Sequence, residues 1–207
     1  MYHENNSNKF GMWTKVDGLS KNSQFTVDKI HESAQKSLNN LNVESLKCLY
    51  LHQNDIEIIE DKFVQKGLKE IKESGVSKKT GVSIYNSVEL ERALSLEVYD
   101  VVQLPVSAAN THLYNIAKKK SHDKIIVGRS IFLQGSLLNI ESKANKFNYF
   151  TEILHVVKSL QELAYSHNID YLSMLLLYVN SLENLDYIII SSKNEHNIKK
   201  ILNYSET

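Results

Sequence analysis

Short apolar runs alternate with amphipathic segments along almost the whole chain, and this alternation limits the fold more than any other feature of the 207 residues. The apolar runs predict six strands, at residues 11–16, 47–52, 80–85, 99–106, 124–130 and 185–190. They are short apolar stretches rather than strict alternations of apolar and polar residues, which is typical of strands buried on both faces of a parallel sheet. The pattern therefore predicts an α/β protein in which helices cover a parallel sheet.

Apolar residues at spacings of three and four predict helices between these strands. The predicted helices span residues 26–41, 60–75, 87–94, 111–120, 147–168, 171–182 and 194–202. Thr26 and Ser87 are the expected N-caps of the first and third helices, because hydroxyl groups accept hydrogen bonds from free N–H groups at a helix start. With one proline and few glycines, the chain has no linker of the Pro/Gly/Ser type, so a single domain over residues 1–207 is expected.

Composition excludes several classes of protein. Lys+Arg and Asp+Glu both number 24, and a neutral chain of this kind argues against a nucleic-acid partner. The single cysteine, Cys48, excludes an intrachain disulfide and fits a reducing, cytoplasmic location. No apolar run has membrane-spanning length, and the polar first ten residues lack the pattern of a secretory signal. No His/Cys/Asp cluster has metal-ligand spacing, and neither Gly-rich phosphate motif follows a strand, so no metal site is expected.

Polar side chains stand at the end of every predicted strand. They are Lys15, His52, Ser83, Gln103, Arg129 with Ser130, and Ser191 with Ser192. One such residue is more often an ordinary solvated side chain than a functional group. The repetition at every strand favours a (β/α) barrel, in which active sites are built at the carboxyl ends of the strands.

Seven segments, in chain order, resemble the aldo-keto reductases over roughly residues 8–203. They are WTKV, SLNNL, VESLKCLYLHQND, GVSIYNSVEL, VVQLP, GRSIFLQGSLL and DYIIISSKNEHNIKKIL. The resemblance implies an incomplete (β/α)8 barrel with about six parallel strands. It also implies NADP- or NAD-dependent reduction of a small aldehyde or ketone, for example a sugar derivative.

The resemblance also implies roles for individual residues. His52 would hydrogen-bond and orient the substrate carbonyl, and Lys15 would lower the pKa of a general-acid tyrosine. Ser83 and Gln103 would hold the nicotinamide carboxamide. The other implied cofactor residues are Arg129 beside the nicotinamide, Ser130, Phe132 and Gln134 on the pyrophosphate side, and Ser191, Ser192, Lys193 and Asn197 toward the adenosine phosphate.

The chain departs from the family pattern at its start and at one strand end. It resembles a truncated member without the first two strand–helix units, which carry the catalytic tyrosine and aspartate of the family. Tyr2 is the only tyrosine before Lys15, and Ile84 replaces a carboxamide-binding asparagine. A second hypothesis therefore stands beside the reductase: a non-catalytic scaffold, a binding protein or a gene remnant on the same fold.

Six strands cannot close a barrel with the usual tilt and stagger, so the first and last strands are expected to be sheet edges. Three outcomes stay open at this point: an open remnant, a homodimer formed through the exposed edges, or an incomplete product of a longer gene.

Overall fold

A computed structural model of the protein describes residues 11–53, 55–121, 123–138, 148–192 and 195–205. The chain divides into two compact units. The first comprises Met1–Leu104 with Lys119–Ile126, and the second comprises Pro105–Lys118 with Val127–Thr207. Each unit contains strands and helices of its own.

The predicted alternation of strands and helices is confirmed, with shorter strands than expected. The elements of the first unit are β1 (Trp13–Val16), α1 (Phe25–Leu41), β2 (Cys48–Leu51), α2 (Ile56–Ile59), α3 (Lys62–Glu73), β3 (Thr80–Ser83), α4 (Ser87–Ser95) and β4 (Val101–Pro105), of which only Pro105 falls in the second unit. Strands β2 and β3 are buried at every residue, as expected for parallel strands covered on both faces.

Both predicted helix caps are wrong, because an earlier residue takes the N-cap position in each helix. Helix α1 begins at Phe25 with Gln24 as N-cap, and the buried Thr26 hydroxyl donates to the Ser20 carbonyl at 2.7 Å instead. Helix α4 is capped by Asn86, whose side chain accepts the Glu89 N–H at 3.0 Å in a reciprocal capping box. In both cases a residue just before the expected cap takes the cap position.

The core of the first unit lies where α1 and α3 pack together over the sheet. Ile30, Leu68 and Ile71 are fully buried. Gly67 allows the close approach of these two helices, because a Cβ there would lie 2.8 Å from the Ile30 side chain. Asp61 caps α3 by accepting hydrogen bonds from the N–H groups of Phe63 and Val64.

The strands of the first unit are parallel and paired in chain order. Lys15 on β1 lies opposite Tyr50 on β2, Tyr50 lies opposite Gly81 on β3, and Ser83 lies opposite Gln103 on β4. Residues opposite one another on neighbouring strands form a row across the sheet, and alternate residues along each strand point to the same face. The register therefore determines which polar side chains are neighbours on that face.

The second unit contains α5 (His112–Lys120, up to Lys118), β5 (Ile125–Arg129, from Val127), α6 (Asn148–Ser166), α7 (Tyr171–Asn180), β6 (Tyr187–Ile188) and α8 (Glu195–Ser205). Strands β5 and β6 pair in parallel. The Tyr114 hydroxyl donates to the Glu183 carbonyl at 2.8 Å and attaches α5 to the segment before β6. Lys200 on α8 donates to Asp170, the N-cap of α7, at 3.2 Å.

The predicted last strand shrinks from six residues to the two of β6. Strand β1 pairs with β2 and β6 pairs with β5, so each has one described partner strand, in line with the expected edges. Around β6, the side chains of Tyr187 and Ile189 are nearly half exposed. Among the residues that the structure describes, no helix is long and apolar enough to span a membrane.

Candidate functional site

The polar side chains at the strand ends of the first unit share one face of the sheet. Lys15 belongs to the row of Tyr50 and Gly81, and Ser83 and Gln103 lie one pleat further toward the carboxyl ends. A backbone hydrogen bond from His52 to Val16, 2.9 Å long, continues the β1–β2 pairing beyond β2. His52 therefore lies two residues beyond Tyr50, on the same face as the other side chains.

Gln103 is the centre of this polar group. Its Oε1 atom accepts a hydrogen bond from Lys15 Nζ at 2.9 Å and another from Ser83 Oγ at 3.3 Å. Both Ser83 and Gln103 are buried, and Gln103 Nε2 has no hydrogen-bond partner among the described residues. A buried amide N–H₂ with no acceptor is costly, so a ligand carbonyl at this point would satisfy a group that the protein leaves unsatisfied.

Ile84 occupies the position at which the resemblance implies an asparagine that binds a carboxamide. Ile84 is fully buried, and its backbone N–H donates to the Gln103 carbonyl at 2.9 Å. An apolar side chain offers no hydrogen bond to a carboxamide. Ser83 and Gln103 are thus the residues of this strand end that offer polar side-chain atoms to a ligand.

Tyr50 is a member of this face that sequence reasoning missed. Its ring lies 5.7 Å from the Trp13 ring and occupies the space over Gly81, where a Cβ would approach the tyrosine ring to 2.8 Å. Its hydroxyl is buried and forms no hydrogen bond of ordinary geometry among the described residues. Burial is the main cause that raises the pKa of Tyr50 far above its ordinary value, although the nearby Gln103 side chain partly offsets the rise, so this phenol stays neutral.

His52 also has a partner that was not predicted. His52 Nδ1 lies 2.8 Å from Asp17 Oδ2, and both side chains are about half exposed. The Gly18 N–H, the hydrogen bond with His52 and the nearby positive charges lower the pKa of Asp17, so the carboxylate is ionised. Asp17 follows Lys15 by two residues just as His52 follows Tyr50, and this matching spacing is the pattern that could have identified the pair.

The loops that carry this pair are tied together by Gln53. Its Oε1 accepts the Leu19 N–H, and its Nε2 donates to the Leu19 carbonyl at 3.1 Å. Leu19 is buried. The segment after β1 is therefore attached to the segment after β2 just beyond the Asp17–His52 contact.

The second unit contains a cavity of about 630 Å³. Its lining includes seven of the predicted cofactor residues, namely Arg129, Ser130, Phe132, Gln134, Ser191, Ser192 and Asn197. Residues that were not predicted complete it, namely Ile131, Gly135, Leu138, Leu172, Ile189, Ile190 and Ile201. The remaining predicted residue of this group, Lys193, lies outside the described residues.

A tight turn after β5 shapes one wall of the cavity. Ser130, Leu133, Gln134 and Gly135 all have positive φ angles, between 46° and 79°. A hydrogen bond from Leu133 N–H to the Ser130 carbonyl, 2.8 Å long, closes the turn. Non-glycine residues adopt this conformation rarely, and clusters of such residues often mark binding segments. The buried side chains of Ile131 and Leu137 anchor the turn to the unit.

The opposite wall comes from the segment after β6 and from α8. Ser191 and Ser192 precede the helix, and Asn197 and Ile201 lie one turn apart on it. The wall therefore offers hydroxyl and amide groups together with an apolar surface. With the guanidinium of Arg129, these groups are suited to phosphate and ribose oxygens, and Phe132 and Ile201 are suited to a flat ring.

Comparison with known proteins gives the family of this chain. A family model described as the aldo/keto reductase family matches residues 3–207. The chain belongs to this family. No curated protein sequence matches the chain significantly.

Two solved structures of aldo-keto reductases show the fold. The holo form of an enzyme from Bacillus halodurans is 15% identical, with a TM-score of 0.71 over 99% of this chain and 69% of that chain. An aldo/keto reductase from Klebsiella pneumoniae in complex with NADP and acetate is also 15% identical, with a TM-score of 0.67 over 95% of this chain and 65% of that one. This chain thus spans about two thirds of these structures, and the predicted incomplete (β/α)8 fold with six parallel strands is confirmed.

Aldo-keto reductases are oxidoreductases. Within the described residues, no group of three or more His, Cys, Asp or Glu side chains could hold a metal ion.

Proposed function

We propose that this chain binds NADPH or NADH and reduces a small aldehyde or ketone. One observation carries the proposal: seven residues expected to contact the cofactor, on separate segments of the second unit, line a single cavity. A volume of about 630 Å³ lies within the usual range for small-molecule sites. The family membership supplies the class of reaction.

The cavity of the second unit would hold the phosphate and adenosine part of the cofactor. Arg129 would supply positive charge, and its Nη1 already lies 3.3 Å from Ser130 Oγ, which keeps the two side chains together. Ser191, Ser192 and Asn197 would donate hydrogen bonds to phosphate or ribose oxygens. When bound, the nicotinamide cofactor supplies the hydride.

The first unit carries the residues predicted to act on a substrate carbonyl and on a carboxamide group. Lys15 and Ser83 hold the Gln103 side chain by donating to its oxygen. The N–H₂ group of Gln103 would then be the part of this side chain that donates to a ligand carbonyl. His52, exposed at the end of the same face, would hydrogen-bond the carbonyl oxygen of the substrate. This assignment keeps the predicted roles of Ser83, Gln103 and His52, and it gives Lys15 the role of anchoring Gln103.

A binding protein without turnover is the second candidate, and the environment of Tyr50 favours it. This phenol is on the strand position opposite Lys15, but burial raises its pKa far above the ordinary value, so it is a poor proton donor. A chain that binds the cofactor through the second unit and reduces no carbonyl would match this reading.

Titration with NADPH and with NADH, followed by cofactor fluorescence, tests the binding. We expect saturable binding that Arg129→Ala weakens about 10- to 100-fold, since a hydrogen bond to a charged group contributes about 1.5–3 kcal/mol. Arg92→Ala is the matched control, because Arg92 lies on α4 in the first unit, where it forms an exposed ion pair with Glu60. Equal affinity in the two variants would refute the cavity as the cofactor site. Turnover of small aldehydes by the same protein then separates a reductase from a binding protein.

A further inference from the structure

His52 lies just beyond β2 at the carboxyl end of the first unit, and its side chain is about 45% exposed. A proton donor must come within hydrogen-bond distance of the substrate oxygen, so it must be accessible. The Tyr50 hydroxyl is buried, whereas Tyr85, two residues beyond Ser83, is exposed as well. The contact with Asp17 is what distinguishes His52 from the other accessible groups.

The contact with Asp17 determines what the imidazole of His52 can do. Asp17 Oδ2 accepts the Nδ1 proton over 2.8 Å, and Gly18 N–H donates to the other oxygen of the same carboxylate at 2.7 Å. The carboxylate is thus oriented from both sides. With Nδ1 bound in this way, the second ring nitrogen, Nε2, is the one that would face a substrate.

Hydrogen bonds between the two backbone segments hold Asp17 and His52 close to each other. The His52 N–H donates to the Val16 carbonyl, directly before Asp17, at 2.9 Å. Gln53, directly after His52, exchanges two hydrogen bonds with Leu19. The two residues are therefore held in register by three backbone-directed hydrogen bonds on the flanking positions.

From this geometry we infer that Asp17 and His52 form the proton-donating pair of the proposed reduction. The inference rests on the proposed function. The carbonyl carbon would gain the hydride of the reduced nicotinamide, which would be oxidised. The carbonyl oxygen would gain the Nε2 proton of the doubly protonated His52 ring, which would keep its other proton on Nδ1 beside Asp17. The neutral imidazole would then recover a proton at Nε2 from water. His52 is the catalytic residue, and Asp17 is a positioning residue that acts through it.

His52→Gln tests the proton transfer, because a glutamine amide can still hydrogen-bond a carbonyl but cannot give up a proton. We expect kcat to fall about 10²–10⁴-fold, with the Kd for NADPH within about twofold of the wild type. Asp17→Ala is expected to lower kcat about 10–100-fold, again without an effect on NADPH binding. Glu70→Gln is the matched control: Glu70 pairs with His31 at 3.1 Å at similar exposure in the same unit, and its loss is expected to leave kcat unchanged.

The second readout does not depend on turnover. The ¹⁵N shifts of the His52 ring report which nitrogen carries the proton in the neutral form. We expect the Nδ1–H tautomer in the wild type and in Glu70→Gln, and a shift toward Nε2–H in Asp17→Ala. Undiminished reduction by His52→Gln, or a tautomer that is unchanged in Asp17→Ala, overturns the inference alone. A wild-type chain that binds no NADPH or reduces no carbonyl overturns the proposed function itself.

Discussion

The two units place polar side chains by different means. In the first unit, strand register brings Lys15, Ser83 and Gln103 together, and the latter two are almost completely buried. In the second unit, a turn with left-handed residues and the start of a helix enclose an open cavity whose polar lining residues are partly or fully exposed. The positions of the side chains in the first unit follow from the regular geometry of the sheet. Those in the second unit depend on the conformation of an irregular turn.

The two arrangements differ in how much freedom their side chains keep. Side chains held by buried strands lose little freedom when a substrate arrives, which suits groups that must be aligned to a fraction of an ångström. A cavity formed by a turn and a helix can follow the outline of a large, flexible ligand. We therefore expect substitutions at buried positions of the first unit to lower stability more than substitutions of the same kind at more exposed positions of the second.

Leu68→Ala is expected to have the largest effect. Leu68 on α3 is fully buried, so its truncation should lower the free energy of unfolding by about 2–5 kcal/mol through lost burial and a cavity. Leu163→Ala in α6 is the counterpart in the second unit, and at 46% exposure it should cost less than about 1 kcal/mol. Urea unfolding of both variants measures the difference, and similar losses would remove the contrast between the units.

Substitution of glycine by alanine probes space in one unit and backbone conformation in the other. At Gly81 a Cβ would lie 2.7 Å from the Val101 carbonyl, so Gly81→Ala should destabilise by about 3 kcal/mol. At Gly135 a Cβ would meet nothing within 4 Å, but the φ of +79° disfavours a side chain, so Gly135→Ala should cost about 1 kcal/mol. Thermal unfolding compares them; a larger loss at Gly135 would show that the turn is the more constrained region.

The N-caps of α3 and α7 form a third pair. Asp61 is buried and accepts three N–H groups, from Asn22, Phe63 and Val64, so Asp61→Ala should cost about 2 kcal/mol. Asp170 is about half exposed, and Asp170→Ala should cost about 0.5–1 kcal/mol. Unfolding midpoints at neutral pH test this, and equal costs would contradict a role for burial.

The smallest expected effect is the pH dependence contributed by Asp17. Its pKa is lower in the folded protein than in the unfolded chain, chiefly because of the Gly18 N–H and then His52. Its contribution to stability is therefore complete above its ordinary pKa and is lost as the pH falls through the lowered value. The stability difference between the wild type and Asp17→Ala should shrink as the pH falls below about 4. A difference that grows in acid would have the wrong sign for this interaction.

Much of the fold could be predicted because it depends on local pattern. Apolar runs and helical spacing located the strands and most helices, and Gly75, with a φ of +76°, follows the end of α3 as expected. The caps of α1 and α4 were misplaced by one or two residues, since Gln24 and Asn86 compete with Thr26 and Ser87 for the same position. The last strand was overestimated because an apolar run does not reveal how many of its residues find a partner.

The candidate site was predictable only in part. The chain order of strand ends pointed to Lys15, Ser83 and Gln103, yet the hydrogen bonds among them depend on register between strands far apart in sequence. Tyr50 was missed because nothing near it in the chain distinguishes a buried phenol from an ordinary residue. Asp17 was missed because its spacing from Lys15, which matches that of His52 from Tyr50, has meaning only when β1 and β2 are known to pair in this register. Both became visible once β1 and β2 were placed side by side.

The sequence by itself determined the alternating parallel architecture, the family resemblance and the residues at the strand ends, since these depend on the order and spacing of side chains along one segment at a time. Only the tertiary structure decided that Gln103 Oε1 is shared by Lys15 and Ser83, that His52 is paired with Asp17, and that seven expected cofactor residues line one cavity. The physical reason is that each of these contacts joins groups from separate strands, turns or helices, so it exists only when packing and register have brought those segments within hydrogen-bond distance.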